Sequence, residues 1–224
     1  MCGRFTLKTP TVQVRTLFPE LDIPDLTPRY NIAPTQMVSS VRSSHDNKQQ
    51  FATFRWGLVP FWSKDLKIGS KMINARGESV SSKPSFRSAF KKRRCLVLAD
   101  GFFEWKKIND GKQPYYMTLE DESPFCMAGL WEKWNDKTSG ETIETCTVIT
   151  TEANEFMSEL HDRMPVILDK SDYGVWLDNE FQDAGHLESL LCPMAEGELK
   201  KRPVNKIVNR PVNDSPECIE TVSL

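Results

Sequence analysis

The chain has 224 residues, enough to bury a real core, and its 39% hydrophobic and 27% charged residues are the balance of a soluble protein. With 29 Lys and Arg against 31 Asp and Glu the net charge is -2, which excludes a globally basic nucleic-acid coat and leaves any DNA contact to a local patch. The sequence holds no apolar run long enough to cross a bilayer, no repeat, no low-complexity linker and no secretory leader, so one cytoplasmic domain over residues 1–224 is expected.

Taken in chain order, residues 11–18 carry a helical pattern, and residues 28–34 form a Pro-containing aromatic segment without periodicity, read as a loop. Residues 51–56 are strand-like, rich in aromatic and β-branched side chains, and residues 56–63 read as a second aromatic loop. The run Lys91-Lys92-Arg93-Arg94 reads as a solvated charged face ahead of a buried strand at 95–99. Residues 101–105 and their polar continuation read as a third loop, followed by strands at 115–119, 125–128 and 145–150. A helix is expected over 152–160, capped by Thr151, with Phe156, Met157 and Leu160 on one face and His161 at its end. Further helices are expected at 170–177 and 184–191, the latter stopped by Pro193. Short strands broken by irregular segments and a few helices predict an α+β fold with a barrel-like, mainly antiparallel sheet, and Trp56, Trp105 and Trp131 are assigned to its core.

Six scattered cysteines with no close pair argue against a disulfide framework, and three distant histidines without ligand spacing predict no metal. No cofactor is expected. The chemistry begins at the amino terminus. An initiator Met followed by a residue as small as Cys2 is ordinarily removed, leaving a 1,2-aminothiol. Its α-amine, with a reference pKa of about 7.7–8.0, forms an imine with an aldehyde. The adjacent thiol then closes a five-membered thiazolidine, an intramolecular step with high effective molarity. Read alone, Cys2 is an early cysteine without a role, Glu104 a solvated glutamate at a strand end, and His161 a helix-terminal histidine in a charged cluster with Asp162 and Arg163. Asn74 alone is a turn residue, and Arg4 and Arg76 alone are surface charges.

Ordered blocks change that reading. Met1-Cys2-Gly3-Arg4-Phe5, Arg29-Tyr30-Asn31-Ile32-Ala33-Pro34, Arg55-Trp56-Gly57-Leu58-Val59-Pro60-Phe61-Trp62, Met72-Ile73-Asn74-Ala75-Arg76, Asp100-Gly101-Phe102-Phe103-Glu104-Trp105 and Leu160-His161-Asp162-Arg163-Met164-Pro165 occur in sequence. The chain resembles, over nearly its whole length, the SRAP (SOS-response-associated peptidase) family, whose members process abasic sites. The resemblance implies that Cys2 is the nucleophile, Glu104 the active-site acid, His161 the histidine that assists ring opening and reversal, and Asn74 the amide that binds the captured sugar. It also implies phosphate contacts from Arg4 and Arg76 and a DNA surface that includes Pro34, Trp62 and Thr150. The sequence departs from the family at Leu160, where isoleucine is frequent, and at Ser63, where some members place another Trp.

The function so implied is covalent capture of abasic sites in single-stranded DNA through a thiazolidine on Cys2, by a monomer that is nucleoid-associated when bound to DNA. Two rivals belong to other classes: a cysteine autopeptidase acting on its own amino-terminal extension, and a non-catalytic single-strand-binding module using Trp62 and the arginines.

Overall fold

The computed structural model describes residues 2–109 and 111–223. Among them lie the strands β1 (Phe5–Leu7), β2 (Arg29–Ile32), β3 (Met37–Ser43), β4 (Gln49–Trp56), β5 (Asn74–Arg76), β6 (Arg94–Ala99), β7 (Gly101–Ile108), β8 (Gly111–Leu119), β9 (Phe125–Asn135), β10 (Thr142–Glu152), β11 (Arg163–Pro165), β12 (Ile167–Leu168) and β13 (Leu199–Pro203). The helices are short: α1 (Thr11–Val14), α2 (Gly77–Val80), α3 (Arg87–Lys92), α4 (Glu155–Ser158), α5 (Tyr173–Leu177) and α6 (Ala184–Ser189).

Strands β4, β3, β6, β9 and β10 pair in that order, and β10 returns to β4, so the five close into a barrel. Only the closing seam, Thr145 opposite Arg55 and Cys146 opposite Trp56, is parallel within that ring. Closure leaves the ring no edge of its own to protect. The expected barrel-like, mainly antiparallel α+β architecture is therefore what the chain adopts. β10 runs past the barrel and takes on β5 and β11, which extends the wall beyond the end of β4.

A second sheet, ordered β13-β8-β7-β1-β2, is antiparallel throughout. The chain passes from barrel to second sheet across one residue, Asp100, between β6 and β7. Its carboxylate is fully buried and accepts from the backbone N–H groups of Lys8 and Thr9 at 2.5 and 2.6 Å and from the hydroxyls of Thr6 and Thr9. That acid pins β1 to the start of β7. A Cβ at position 101 would run into the Tyr116 ring, so only glycine lets β7 begin there.

The core fills the barrel and the gap between the sheets. Phe5, Phe54, Trp56, Leu96 and Phe102 are fully buried, each contributing about 1.5–3 kcal/mol by leaving water. A smaller cluster of Phe103, Tyr116, Val204, Val208 and Cys218 lies behind β7, where the C-terminal segment folds over it. Asp214 of that segment accepts from the backbone N–H groups of Tyr30 and Asn31 and from Arg29, clasping β2.

Several local expectations are corrected. Residues 101–105 are strand, because both faces of β7 are covered and a continuous apolar run is what a doubly covered strand requires. Residues 29–32 within the expected first loop are β2, held by β1. Thr151 and Glu152 belong to β10, and the cap of the shortened α4 is Asn154, whose side chain accepts from Met157 N–H. Arg94 is fully buried rather than solvated: the carbonyls of Phe90, Lys91, Trp176, Asp178 and Phe181 all accept from its guanidinium. Trp56 is core, whereas Trp131 and Trp105 are only partly buried, Trp105 donating to Asn209 Oδ1. The six cysteines are free thiols.

Candidate active site

The geometry starts from β1. Phe5 lies opposite Phe102, and Phe103 N–H donates to the Arg4 carbonyl at 2.9 Å, so the residues ahead of β1 run beside Glu104. Met1 and the question of its removal lie outside the described residues. Cys2 is fully buried, and Asn74 Nδ2 donates to its carbonyl at 2.8 Å. Asn74 reaches that position because β5 pairs in parallel with β10, Asn74 opposite Val148. Its Oδ1 is buried and has no hydrogen-bond partner among the described residues, which leaves one acceptor open beside Cys2.

Glu104 is 3% exposed. Burial pushes its carboxyl up to about 7, so near neutral pH it holds and releases a proton with comparable ease. Burial, reinforced by the charge of Glu104, pushes the Cys2 thiol up to about 12, so the sulfur stays protonated. Those two groups share one buried space.

His161 follows α4, its N–H donating to the Met157 carbonyl at 3.0 Å. The backbone N–H of Arg163 donates to His161 Nδ1 at 3.0 Å, and Asp162 Oδ1 lies 2.6 Å from the same nitrogen. One nitrogen cannot accept and donate at once. The backbone donor is fixed while Asp162 is 83% exposed, so in the neutral ring Nδ1 accepts and Nε2 carries the proton. Burial lowers the His161 pKa against the opposing charge of Asp162 and favours that neutral form. The charge of Asp162 also raises the Glu104 pKa, which sets the His161–Asp162 turn within electrostatic reach of the carboxyl.

Arg76, at the exposed end of β5, lines a polar cleft of about 480 Å³ with Glu152, Ser158, Asp162 and Arg163. Arg163 is buried and forks onto Glu78 at 2.6 and 3.0 Å while donating to the Thr150 carbonyl at 2.6 Å. Sequence reading passed over Arg163 as a site residue, although its place directly after His161-Asp162 was a usable signal. Asp100 gave none, since its partners, Thr6, Lys8 and Thr9, lie far away in sequence near the chain's beginning.

Two of the expected DNA-surface residues are engaged within the fold. Thr150 is fully buried, opposite Arg76 between β5 and β11, and its side chain does not reach the surface. Arg4 directs one guanidinium nitrogen inward, to Asn31 Oδ1 and the Val208 carbonyl, both at 2.8 Å, and stacks over Trp105. It acts as a strut between β1 and the C-terminal segment. Trp62 is 51% exposed beside an exposed Phe61, on a loop that leaves β4 at Gly57, whose φ of 122° excludes a side chain. Pro34 is half-buried in a turn docked on the same strand end, Thr35 N–H donating to the Trp56 carbonyl at 2.8 Å. Among the described residues no group of three metal-ligating side chains gathers.

An α+β chain with a closed mixed barrel has solved counterparts. A crystal structure from Bacteroides thetaiotaomicron superposes with a TM-score of 0.85 at 27% identity, covering 99% of this chain and 100% of that one. A phage-related protein from Bordetella bronchiseptica superposes at 0.72 with 28% identity, over 92% and 95%. The family described as SOS response associated peptidase (SRAP) matches residues 1–211, and the chain belongs to it. Abasic site processing protein YoqW of Bacillus subtilis (strain 168) is 42% identical, over 99% of this chain and all of its own length. Abasic site processing protein HMCES of Xenopus tropicalis is 34% identical over 82% of this chain and 61% of its own.

Proposed function

We propose that the chain processes abasic sites in single-stranded DNA by covalent capture on Cys2. The observation that carries this reading is the shared burial of Cys2 and Glu104, with Asn74 fixed to the Cys2 carbonyl. Once Met1 is removed, the α-amine of Cys2 is the first nucleophile. It adds to C1′ of the ring-opened sugar, water leaves, and an imine forms. The thiol then adds across that imine, its proton passing to nitrogen, and a thiazolidine results with one water released overall.

Glu104, poised near 7, takes the proton from the attacking amine and returns it to the leaving hydroxyl. The open Oδ1 of Asn74 accepts from a sugar hydroxyl. In its protonated form, with Nδ1–H turned to Asp162, His161 passes the Nε2 proton to the sugar ring oxygen as the ring opens and is left as the neutral imidazole, an exchange suited to near-neutral pH. Arg76 and the exposed Trp62 bind the flanking backbone and unstacked bases.

The family's description favours a second reading, an autopeptidase. A peptidase thiol works as thiolate, and a Cys2 held near 12 supplies almost none, so the amine-first route fits the site better. The test is incubation with single-stranded DNA bearing one abasic site, followed by a denaturing gel. A band of bound DNA is expected with the native protein and none with Cys2→Ala. A protein kept amino-terminally extended should also give none, while a thiol peptidase would tolerate the extension. A complex that falls apart in denaturant would leave only the non-catalytic binding module.

A further inference from the structure

We propose that Glu78 is a positioning residue for His161: its carboxylate holds the Arg163 guanidinium across β10 and so fixes the Arg163 backbone N–H against the imidazole. The inference rests on the reading of the chain as an enzyme that captures abasic DNA on Cys2. It is carried by four hydrogen bonds and by the order of three strands.

Glu78 stands in the first turn of α2, which follows β5 directly. β5 lies on one side of β10 and β11 on the other, since Thr150 faces Arg76 across one seam and Pro165 across the second. Arg163, the first residue of β11, reaches over that strand. Its guanidinium donates to the two carboxylate oxygens of Glu78 at 2.6 and 3.0 Å and to the Thr150 carbonyl at 2.6 Å. A fork of this kind fixes direction as well as distance. The hydrogen bond from Arg163 holds the Glu78 carboxyl below its ordinary range, so the acid is ionised at neutral pH. Among the described residues no other hydrogen bond joins α2 to the His161–Asp162 turn and β11.

The hold reaches His161 through the backbone of the same arginine. Arg163 N–H donates to Nδ1 of the neutral ring at 3.0 Å. When His161 gives up its Nε2 proton it becomes that neutral ring, so a donor already in place stabilises the form it turns into. Ala153 N–H, donating to the Asp162 carbonyl at 3.0 Å, fixes the turn against the end of β10 but not against α2. β5 also carries Asn74, whose amide holds the Cys2 carbonyl. The Glu78–Arg163 pair therefore ties the arm that holds the nucleophile to the arm that holds the proton donor. A general acid contributes its about 10²–10⁴-fold only within hydrogen-bond reach of the atom it protonates, which makes the spacing of those arms matter to rate.

The test uses the full-length protein and two single-stranded DNAs, one bearing a natural abasic site and one bearing an open-chain aldehyde on a linker, which has no ring to open and no use for His161. Saturating concentrations are set by titration with a tetrahydrofuran abasic analogue, which has no aldehyde and cannot be captured. Single-turnover capture is then timed on denaturing gels for the native chain, Glu78→Ala, Glu78→Gln, His161→Gln and the Glu78→Ala/His161→Gln double variant. Glu78→Ala should slow capture of the natural site by about tenfold to a hundredfold, the cost of a misplaced catalytic group, and leave capture of the open-chain aldehyde at the native rate. Glu78→Gln, which keeps an acceptor for one Arg163 N–H, should lose less on the natural site. In the double variant the loss of Glu78 should add nothing to the loss of His161, because the two act as one unit. An equal loss on both DNAs, a loss that adds to that of His161→Gln, or no loss on the natural site would overturn the assignment. A variant that captures the open-chain aldehyde at the native rate is folded, and if Glu78→Ala does not fold, Glu78→Gln carries the same comparison. Failure of the native chain to hold either DNA in denaturant would instead strike the capture reading itself.

Discussion

Glu104 is where function and stability oppose each other most directly. Its carboxyl is held at about 7 in the folded chain against an ordinary value of 4.5, so the folded state binds the proton more tightly than the unfolded one. Its contribution is complete below about pH 4.5 and is lost as pH rises through 7, an effect of about 3 kcal/mol. Glu104→Gln should therefore match the native melting temperature near pH 4 and exceed it at pH 8 in calorimetric scans. The same change should slow adduct formation by about 10²–10⁴-fold and erase the limb of the pH–rate profile near 7. Asp100 should behave differently, because it positions β1 and touches no substrate. Asp100→Asn should lower the rate of adduct formation at saturating DNA and move the apparent pKa of that rate, while affinity for the tetrahydrofuran analogue stays unchanged. A purely structural weakening would leave the apparent pKa where it is. At this scale the sequence was informative wherever chemistry is local. Cys2, Asn74 and Glu104 are types whose reactivity can be named without coordinates, and they do gather. Burial cannot be named that way: nothing near Arg4 announces Asn31 or Val208 as its partners, and nothing near Thr150 announces the strands that cover it.

At the level of elements, legibility followed length. Strands at 51–56, 95–99, 115–119, 125–128 and 145–150 showed themselves because each run is long enough to carry β-branched or aromatic enrichment. β1, β5 and β11 have three residues apiece and β12 two, too few for any alternation, and they exist because β7, β9 and β10 offer edges to them. β7 was misread for the opposite reason: Gly-Phe-Phe-Glu is buried on both faces and has no alternation to read. Arg94 shows how far an element boundary can depend on one side chain. It ties the end of α3, α5 and the segment after it to the first residue of β6 through five carbonyls. Arg94→Met should leave those acceptors buried and unpaired, costing about 3 kcal/mol or more. For a chain of this size that is a fall of roughly 6–12 °C in melting temperature, measurable by calorimetry.

Across the whole molecule, the two sheets meet at the beginning of the chain, and the barrel's closure and the second sheet's order were beyond what patterning reveals. Both depend on which distant strands become neighbours. β1 is wedged between β7 and β2, while the segment from Val208 to Asp214 locks Arg4, Asn31 and β2 from behind. That arrangement has a temporal side. As the polypeptide leaves the ribosome, everything that will enclose Cys2 is still to be made: Asn74 comes later, then Glu104 and, near the end, the clasp. Cys2 thus sits on a dangling tip throughout synthesis and is fully buried afterwards. Under the proposed chemistry, a molecule that matures before trimming keeps its amine acylated beside an inaccessible sulfur, and the fraction of competent enzyme in a cell becomes a race between trimming and closure.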